Sequence, residues 1–222
     1  MKIIAGPCVH ESYEQSLYIA KRCYSICQYY GFDYYFKASY DKANRTSMES
    51  FRGLGITPTL IDLGRIKNEL DIKILTDVHD IEQLRRILGF FNHTVDVLQI
   101  PAFLSRQTDL IVEACKSDKI INIKKGQFMA PWDIDGILTK TQGAKDVWIT
   151  ERGTSFGYNR LVVDFSGMVY MLQILGDSLV YDATHSVQRP GGGGDKNDNQ
   201  GSDQGHSRFE PGSGYYGEPV TT

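Results

Sequence analysis

The chain has 222 residues, 41% of them hydrophobic, with 24 Lys and Arg against 27 Asp and Glu and a formal net charge of −3. That length can bury one sizeable core, and the slight acidity excludes a nucleic-acid binder working through bulk positive charge, so any basic site is local. No apolar run nears the roughly 20 residues of a membrane helix, and "KIIAGP" after Met1 breaks too soon for a secretory leader, which predicts a soluble, cytoplasmic protein away from the membrane.

Short apolar runs alternate along the chain with segments of helical period. "KIIAGP" (2–7) is followed by Leu17, Ala20, Cys23 and Cys27 at helical spacing, and "DYYFKAS" (33–39) by Leu60, Leu63, Ile66 and Leu70. "KILTDV" (73–78) precedes Leu84, Ile87 and Leu88, and "VDVLQIPA" (95–102) precedes Leu110, Ala114 and Cys115. "KIINIKKG" (119–126), "DVWITERG" (146–153) and "SLVYDATH" (178–185) complete seven runs. Repeated βα units of this kind predict an α/β fold with a parallel sheet, a (β/α)₈ TIM barrel first and a doubly wound open sheet as the alternative. Cys8, Cys23, Cys27 and Cys115 contain no CxxC pair and are expected to be reduced thiols.

Nearly every run ends in polar or ionisable groups, where parallel barrels gather their active sites. Cys8 follows the first, and "FKASYDKANRTS" after the second sets Lys37, Lys42 and Arg45 beside Ser39, Asn44, Thr46 and Ser47. Asp77 and His79 follow the third, Gln99 and Arg106 the fourth, and Lys124, Arg152, Asp182 and His185 the last three. Strand alternation puts Asn122 and Lys124 on one face and Lys125 on the other, and Ile121 and Ile123 facing the helices point Lys124 inward. Lysines and arginines converging on one mouth repel each other unless anions occupy it, so phosphate or carboxylate ligands are expected. Cys8 and His185, far apart in sequence, stand open between metal ligation and core packing.

The words "IAGPC", "FKASYDKANRTSMESFRGLG", "TDVHD", "VLQIPAFLSRQTDL", "NIKKGQFMAPWD", "TERGTSFGYNRLVVDF" and "YDATHSVQRPGG" closely resemble the 3-deoxy-D-manno-octulosonate 8-phosphate synthases over about residues 1 to 195. The resemblance implies a barrel, a homotetramer in the family, that condenses phosphoenolpyruvate with arabinose 5-phosphate for lipopolysaccharide precursor synthesis. It assigns Lys124 and Arg152 to the phosphate of phosphoenolpyruvate, and Lys37, Ser39, Lys42 and Gln99 to its carboxylate and reacting carbons. Asn44, Arg45, Thr46 and Ser47 match the cradle for arabinose 5-phosphate, and Arg106 matches an arginine reaching a neighbouring subunit's sugar phosphate. Asp77 and His79 stand near the sugar, as groups assisting proton transfer. Cys8 marks the metal-dependent class, with Zn, Fe or Mn as the implied cofactor and His185 as a further ligand.

The chain departs from the resemblance after "RPGGGGDK". The family's eighth strand, with its "Glu-x-His-Pro" word, has no counterpart, and residues 191–222 are rich in Gly, Asp, Asn, Gln and Ser. The expected organisation is a barrel domain over 1–190 with its eighth strand missing, then a disordered polar tail over 191–222. Half of the family's metal site would be present, and catalytic competence is open. A remnant that binds the substrates without turnover, or a sibling synthase using another aldose phosphate, is the alternative.

Overall fold

The computed structural model describes residues 1–45 and 48–188. The tail expected over 191–222 and the cradle residues Thr46 and Ser47 therefore lie outside the described residues. No described helix is long and apolar enough to cross a membrane.

Seven parallel strands form one sheet: β1 (Lys2–Val9), β2 (Asp33–Ser39), β3 (Lys73–Asp77), β4 (Val97–Ile100), β5 (Ile120–Lys124), β6 (Asp146–Glu151) and, after a short antiparallel pair of β7 (Thr154–Ser155) and β8 (Leu161–Val162), β9 (Leu179–Tyr181). They are hydrogen-bonded in chain order, β1-β2-β3-β4-β5-β6-β9. Helices α1 (Tyr13–Tyr30), α2 (Ile56–Leu70), α3 (Ile81–Phe90), α4 (Thr108–Cys115), α5 (Ile134–Leu138) and α6 (Phe165–Leu175) fill the connections. The seven expected strands all appear, and the open doubly wound alternative does not, because the sheet runs without a reversal of strand order and curls on itself. Its two edges approach where Cys8, at the end of β1, meets His185, just beyond β9, at 3.6 Å. The result is the incomplete (β/α)₈ barrel that the alternation of runs predicts.

Local chemistry sets the helix ends. Ser12 caps α1 by accepting from the Gln15 N–H, and Asp80 caps α3 by accepting from the Gln83 N–H. At the other end of α1, Gly31 takes a left-handed φ of 68° and its N–H closes the last turn.

Two apolar clusters hold these layers together. The larger lies between sheet and helices and includes Phe36, Ile74, Leu98, Ile121, Ile123 and Ile149 from the strands, packed on Leu60, Leu63, Ile66, Leu84 and Ile111. The smaller fills the barrel interior: Tyr35, Leu75, Val97 and Trp148, flanked by Ile4, Ile120 and Val180, so each of the seven strands contributes one residue. Two residues further along those strands stand Lys37, Asp77, Gln99, Asn122, Thr150 and Asp182, which the period of two places on the same inward face, one layer nearer the C-terminal mouth.

Candidate active site

The upper interior layer is a continuous polar network. Ser39 Oγ and Gln99 Nε2 both donate to the Asp77 carboxylate, and Lys37 Nζ lies 3.6 Å from it. Asn122 Nδ2 donates to Gln99 Oε1 at 3.1 Å, and Thr150 Oγ1 donates to Asn122 Oδ1 at 2.7 Å. Side chains of β2, β3, β4, β5 and β6 are thus linked in strand order, as buried polar groups require. On the other side of the mouth Lys124 Nζ donates to Asp182 Oδ2 at 2.5 Å, and the same carboxylate oxygen accepts from His185 Nδ1 at 2.8 Å. His185 in turn faces Cys8, whose sulfur accepts from Lys42 Nζ at 2.9 Å, while Lys37 Nζ reaches the Cys8 carbonyl at 3.2 Å.

A bulge in β1 delivers Cys8 to this place. The pairing register with β2 shifts between Ala5 and Cys8, and a Cβ on Gly6 would sit 2.0 Å from the Lys37 carbonyl oxygen, so only glycine lets the strands approach. Cys8 itself holds a left-handed φ of 67°, a strained conformation for a residue with a Cβ.

Charge accumulates here beyond what the site can neutralise. Burial opposes ionisation of Asp77, yet the Lys37 and Lys42 ammonium groups and the Ser39 hydrogen bond hold its carboxyl well below the usual range. Burial likewise opposes the Lys37 ammonium, but Asp77 and Cys8 outweigh it and raise its pKa. Lys42, buried and repelled by Lys37, is pulled down to about 8. The Cys8 thiol is lowered despite burial, by Lys37, the His185 hydrogen bond and Lys42. Asp182 is lowered despite burial by its His185 hydrogen bond and by Lys124. Arg152 is buried at 6% exposure; burial lowers its pKa, opposed by Asp182 and Glu151. Its Nη2 donates to Gln188 Oε1 at 3.2 Å, while its buried Nη1 has no hydrogen-bond partner among the described residues. Lys37, Lys42, Lys124 and Arg152 face the Asp77 and Asp182 carboxylates and the Cys8 sulfur, with Glu151 shared with Lys125, which leaves one cation in excess and, among the described residues, one Arg152 donor open to an incoming anion.

The other residues singled out in the sequence lie around this network. His79 is engaged locally, with its Nδ1 3.0 Å from Gln83 Oε1 and its ring edge-on to Tyr40. Arg45 donates from Nε to the Phe51 carbonyl at 3.2 Å, and Asn44 is exposed beside it. Arg106 lies on the surface, 3.7 Å from Asp133 and over the Phe128 ring, apart from the interior network. His10 is buried between Ser16 and Asp62, a satisfied core histidine.

The fold and the order of these motifs match known proteins. The model of the DAHP synthetase I family matches residues 1–200. The chain belongs to this family. It is 50% identical over 200 residues to the 2-dehydro-3-deoxyphosphooctonate aldolase of Trichlorobacter lovleyi, covering 89% of this chain and 72% of that protein. It is 48% identical over 222 residues to the protein of the same name from Wolinella succinogenes (94% and 80%), and 48% over 200 residues to that of a Cyanothece species (89% and 71%). The resemblance carried by the motifs is thus a true family relation, and the family is one of enzymes.

The metal implied by the resemblance can be tested on the donors. Cys8 Sγ and His185 Nε2 stand 3.6 Å apart, the distance of about 3.6 Å that two vertices of a tetrahedral zinc site span. Asp182 on Nδ1 orients the ring so that Nε2 faces the sulfur, as an outer carboxylate does for a ligating histidine. Among the described residues, however, no group of three His, Cys, Asp or Glu is placed to hold an ion, and the Lys42 ammonium sits against the sulfur. Among the described residues, two donors beside a cation do not by themselves make a site for a resident divalent metal.

Proposed function

We propose that this chain condenses phosphoenolpyruvate with arabinose 5-phosphate and water, forming 3-deoxy-D-manno-octulosonate 8-phosphate and inorganic phosphate. C3 of phosphoenolpyruvate bonds to the aldehyde carbon of the sugar, water adds at C2, and the C2–O bond to phosphate breaks. The observation that supports the reading is the cationic excess with Arg152 Nη1 at its edge, a donor that has no partner among the described residues, a site suited to an anion.

In this reading Lys124 and Arg152 hold the phosphate of phosphoenolpyruvate, and Lys37, Lys42, Ser39 and Gln99 orient its carboxylate and C3. Asp77, held ionised and fixed by Ser39 and Gln99, keeps Lys37 protonated and aimed. Lys42, with a pKa near 8, is the group able to hold or release a proton near neutral pH beside the aldehyde oxygen. His79 assists from the rim of the mouth. Asn44, Arg45, Thr46 and Ser47 receive the sugar phosphate, completed by Arg106 of a neighbouring copy in a homo-oligomer. Bringing two anions together is unfavourable in water, and preorganised ammonium and guanidinium groups offset that repulsion while aligning C3 with the aldehyde.

The test is phosphate release by the purified chain with phosphoenolpyruvate and either arabinose 5-phosphate or erythrose 4-phosphate. Release in step with eight-carbon product from the pentose phosphate supports the proposal. Release with the tetrose phosphate alone, or phosphoenolpyruvate binding without any release, overturns it.

A further inference from the structure

The residues next to the phosphate pair in sequence, Lys125 and Glu151, meet on the opposite face of the same two strands. Lys124 of β5 and Thr150 of β6 are register partners, and the last backbone bond across the pair runs from the Lys125 N–H to the Thr150 carbonyl at 2.8 Å. Beyond it the β5–β6 ladder ends: Glu151 stays tied to β9 through the Asp182 N–H on its carbonyl at 2.9 Å, and the next backbone bond between the two segments is from the Ser155 N–H to the Gln127 carbonyl, so no ladder bond joins Lys125 and Arg152 directly. There Lys125 Nζ lies 3.3 Å from Glu151 Oε2, with side chains 1% and 4% exposed. The same ammonium donates to the Met129 carbonyl at 2.9 Å and to Thr154 Oγ1 at 3.1 Å, while Glu151 Oε1 accepts from the Gly153 N–H at 2.6 Å. Gly153, with φ +90°, is the residue directly after Arg152.

Three features argue against a merely stabilising pair. Replacing a buried ion pair with apolar side chains is often neutral or favourable for stability, so stability alone does not account for it. Outward-facing neighbours on these strands, Ile121, Ile123 and Ile149, are aliphatic and pack in the main core, so an apolar solution is at hand. Moreover, both residues line a cavity of about 340 Å³ bounded by Phe128, Met129, Pro131, Phe156 and Val162, so close packing does not hold the segment on that side; the polar contacts do.

We propose that the Lys125–Glu151 pair is a positioning device that sets the distance and orientation between Lys124 and Arg152. Each strand presents its phosphate-binding cation to the interior and an anchor to the exterior. Joining the anchors fixes the cations. The inference rests on the assignment of Lys124 and Arg152 to phosphoenolpyruvate, and neither Lys125 nor Glu151 touches substrate in it.

The experiment compares the full chain with Glu151→Asp, which keeps the charge but shortens its reach, with Lys125→Arg, which keeps charge and donors, and with the Lys125→Met/Glu151→Leu double variant. Melting temperature, KM for both substrates, kcat, and calorimetric affinity for phosphoenolpyruvate are measured on each. Glu151→Asp and the double variant are expected to raise KM and the dissociation constant for phosphoenolpyruvate about tenfold, with KM for the sugar phosphate unmoved and the melting temperature near that of wild type. Lys125→Arg is expected to stay within about twofold of wild type. Unchanged affinity for phosphoenolpyruvate in Glu151→Asp overturns the inference, and so does an equal rise in both KM values. Should the double variant not fold, Glu151→Asp against Lys125→Arg decides alone. Wild type that fails to bind phosphoenolpyruvate defeats the functional reading itself, whereas wild type and variants that bind it equally well defeat only this inference.

Discussion

The inward faces of the seven strands carry two layers that are equally buried and chemically opposed. In the lower, Tyr35, Leu75, Val97 and Trp148 meet across the barrel with no more than 3% exposure, and burial alone favours their contact. In the upper, Asp77, Gln99, Asn122 and Thr150, with Arg152 one step above them, are no more than 6% exposed, yet each must find a partner to offset desolvation. The four lower side chains carry no charge to match. The upper is satisfied around Asp77, Gln99, Asn122 and Thr150, whereas Arg152 above them holds a buried donor with no partner among the described residues, and the difference teaches that burial does not distinguish support from site, whereas an open cationic donor does.

The largest separation between the layers is expected from Trp148→Ala. Losing the ring and its Nε1 bond to Asp146 should lower the unfolding free energy by about 4 kcal/mol in urea titrations, without changing phosphoenolpyruvate affinity per folded molecule. Arg152→Ala should do the reverse. Its kcat/KM for phosphoenolpyruvate should fall about a hundredfold, roughly 3 kcal/mol, while stability changes by under about 1 kcal/mol, because losing the Nη2 bond to Gln188 is offset by lifting the burial cost of the guanidinium. A stability loss matching that of Trp148→Ala would erase the contrast.

Asp77→Asn probes the join between support and site. Asp77 ionises more readily in the folded chain than in the unfolded one, so its stabilisation is fully present above the unfolded value near pH 4 and is lost as pH falls through the lower folded value. The variant should be less stable than wild type by about 2 kcal/mol at pH 7, and denaturation at pH 7, 5 and 3 should show the gap closing with acid. The smallest effect belongs to a residue outside both layers. Arg106→Ala should change stability by under about 0.5 kcal/mol, while mixing it with Arg152→Ala should restore part of the turnover if each copy completes the other's site.

Much of this arrangement is legible in the order of residues. Apolar runs separated by helical periods identify the strands of a parallel barrel, and the single period of two in "NIKKGQ" is enough to turn Lys124 inward and Lys125 outward, as they stand. The β7–β8 pair, with strands of two residues each, carries no periodic signal, and α5, at five residues, is too short to show one. α6 is long enough, but its sequence is apolar on several sides, so no helical face stands out. The ring through Asn122 and Thr150 is hinted at by their position two residues before Lys124 and Arg152. Its hydrogen bonds depend on register, however, and register is a relation between strands some thirty residues apart.

The amino-acid order by itself determined which positions face inward and which of those are polar, because side-chain alternation is a local property of each strand. It also determined the family, through motifs that stand in order along the chain. Only the tertiary structure decided that Lys125 and Glu151 meet, that Asp182 joins Lys124 to His185, and that Arg152 holds a donor with no partner among the described residues. These depend on how far each strand is displaced along its neighbour and on how the sheet curls, and electrostatic partnership follows distance in space rather than separation along the chain.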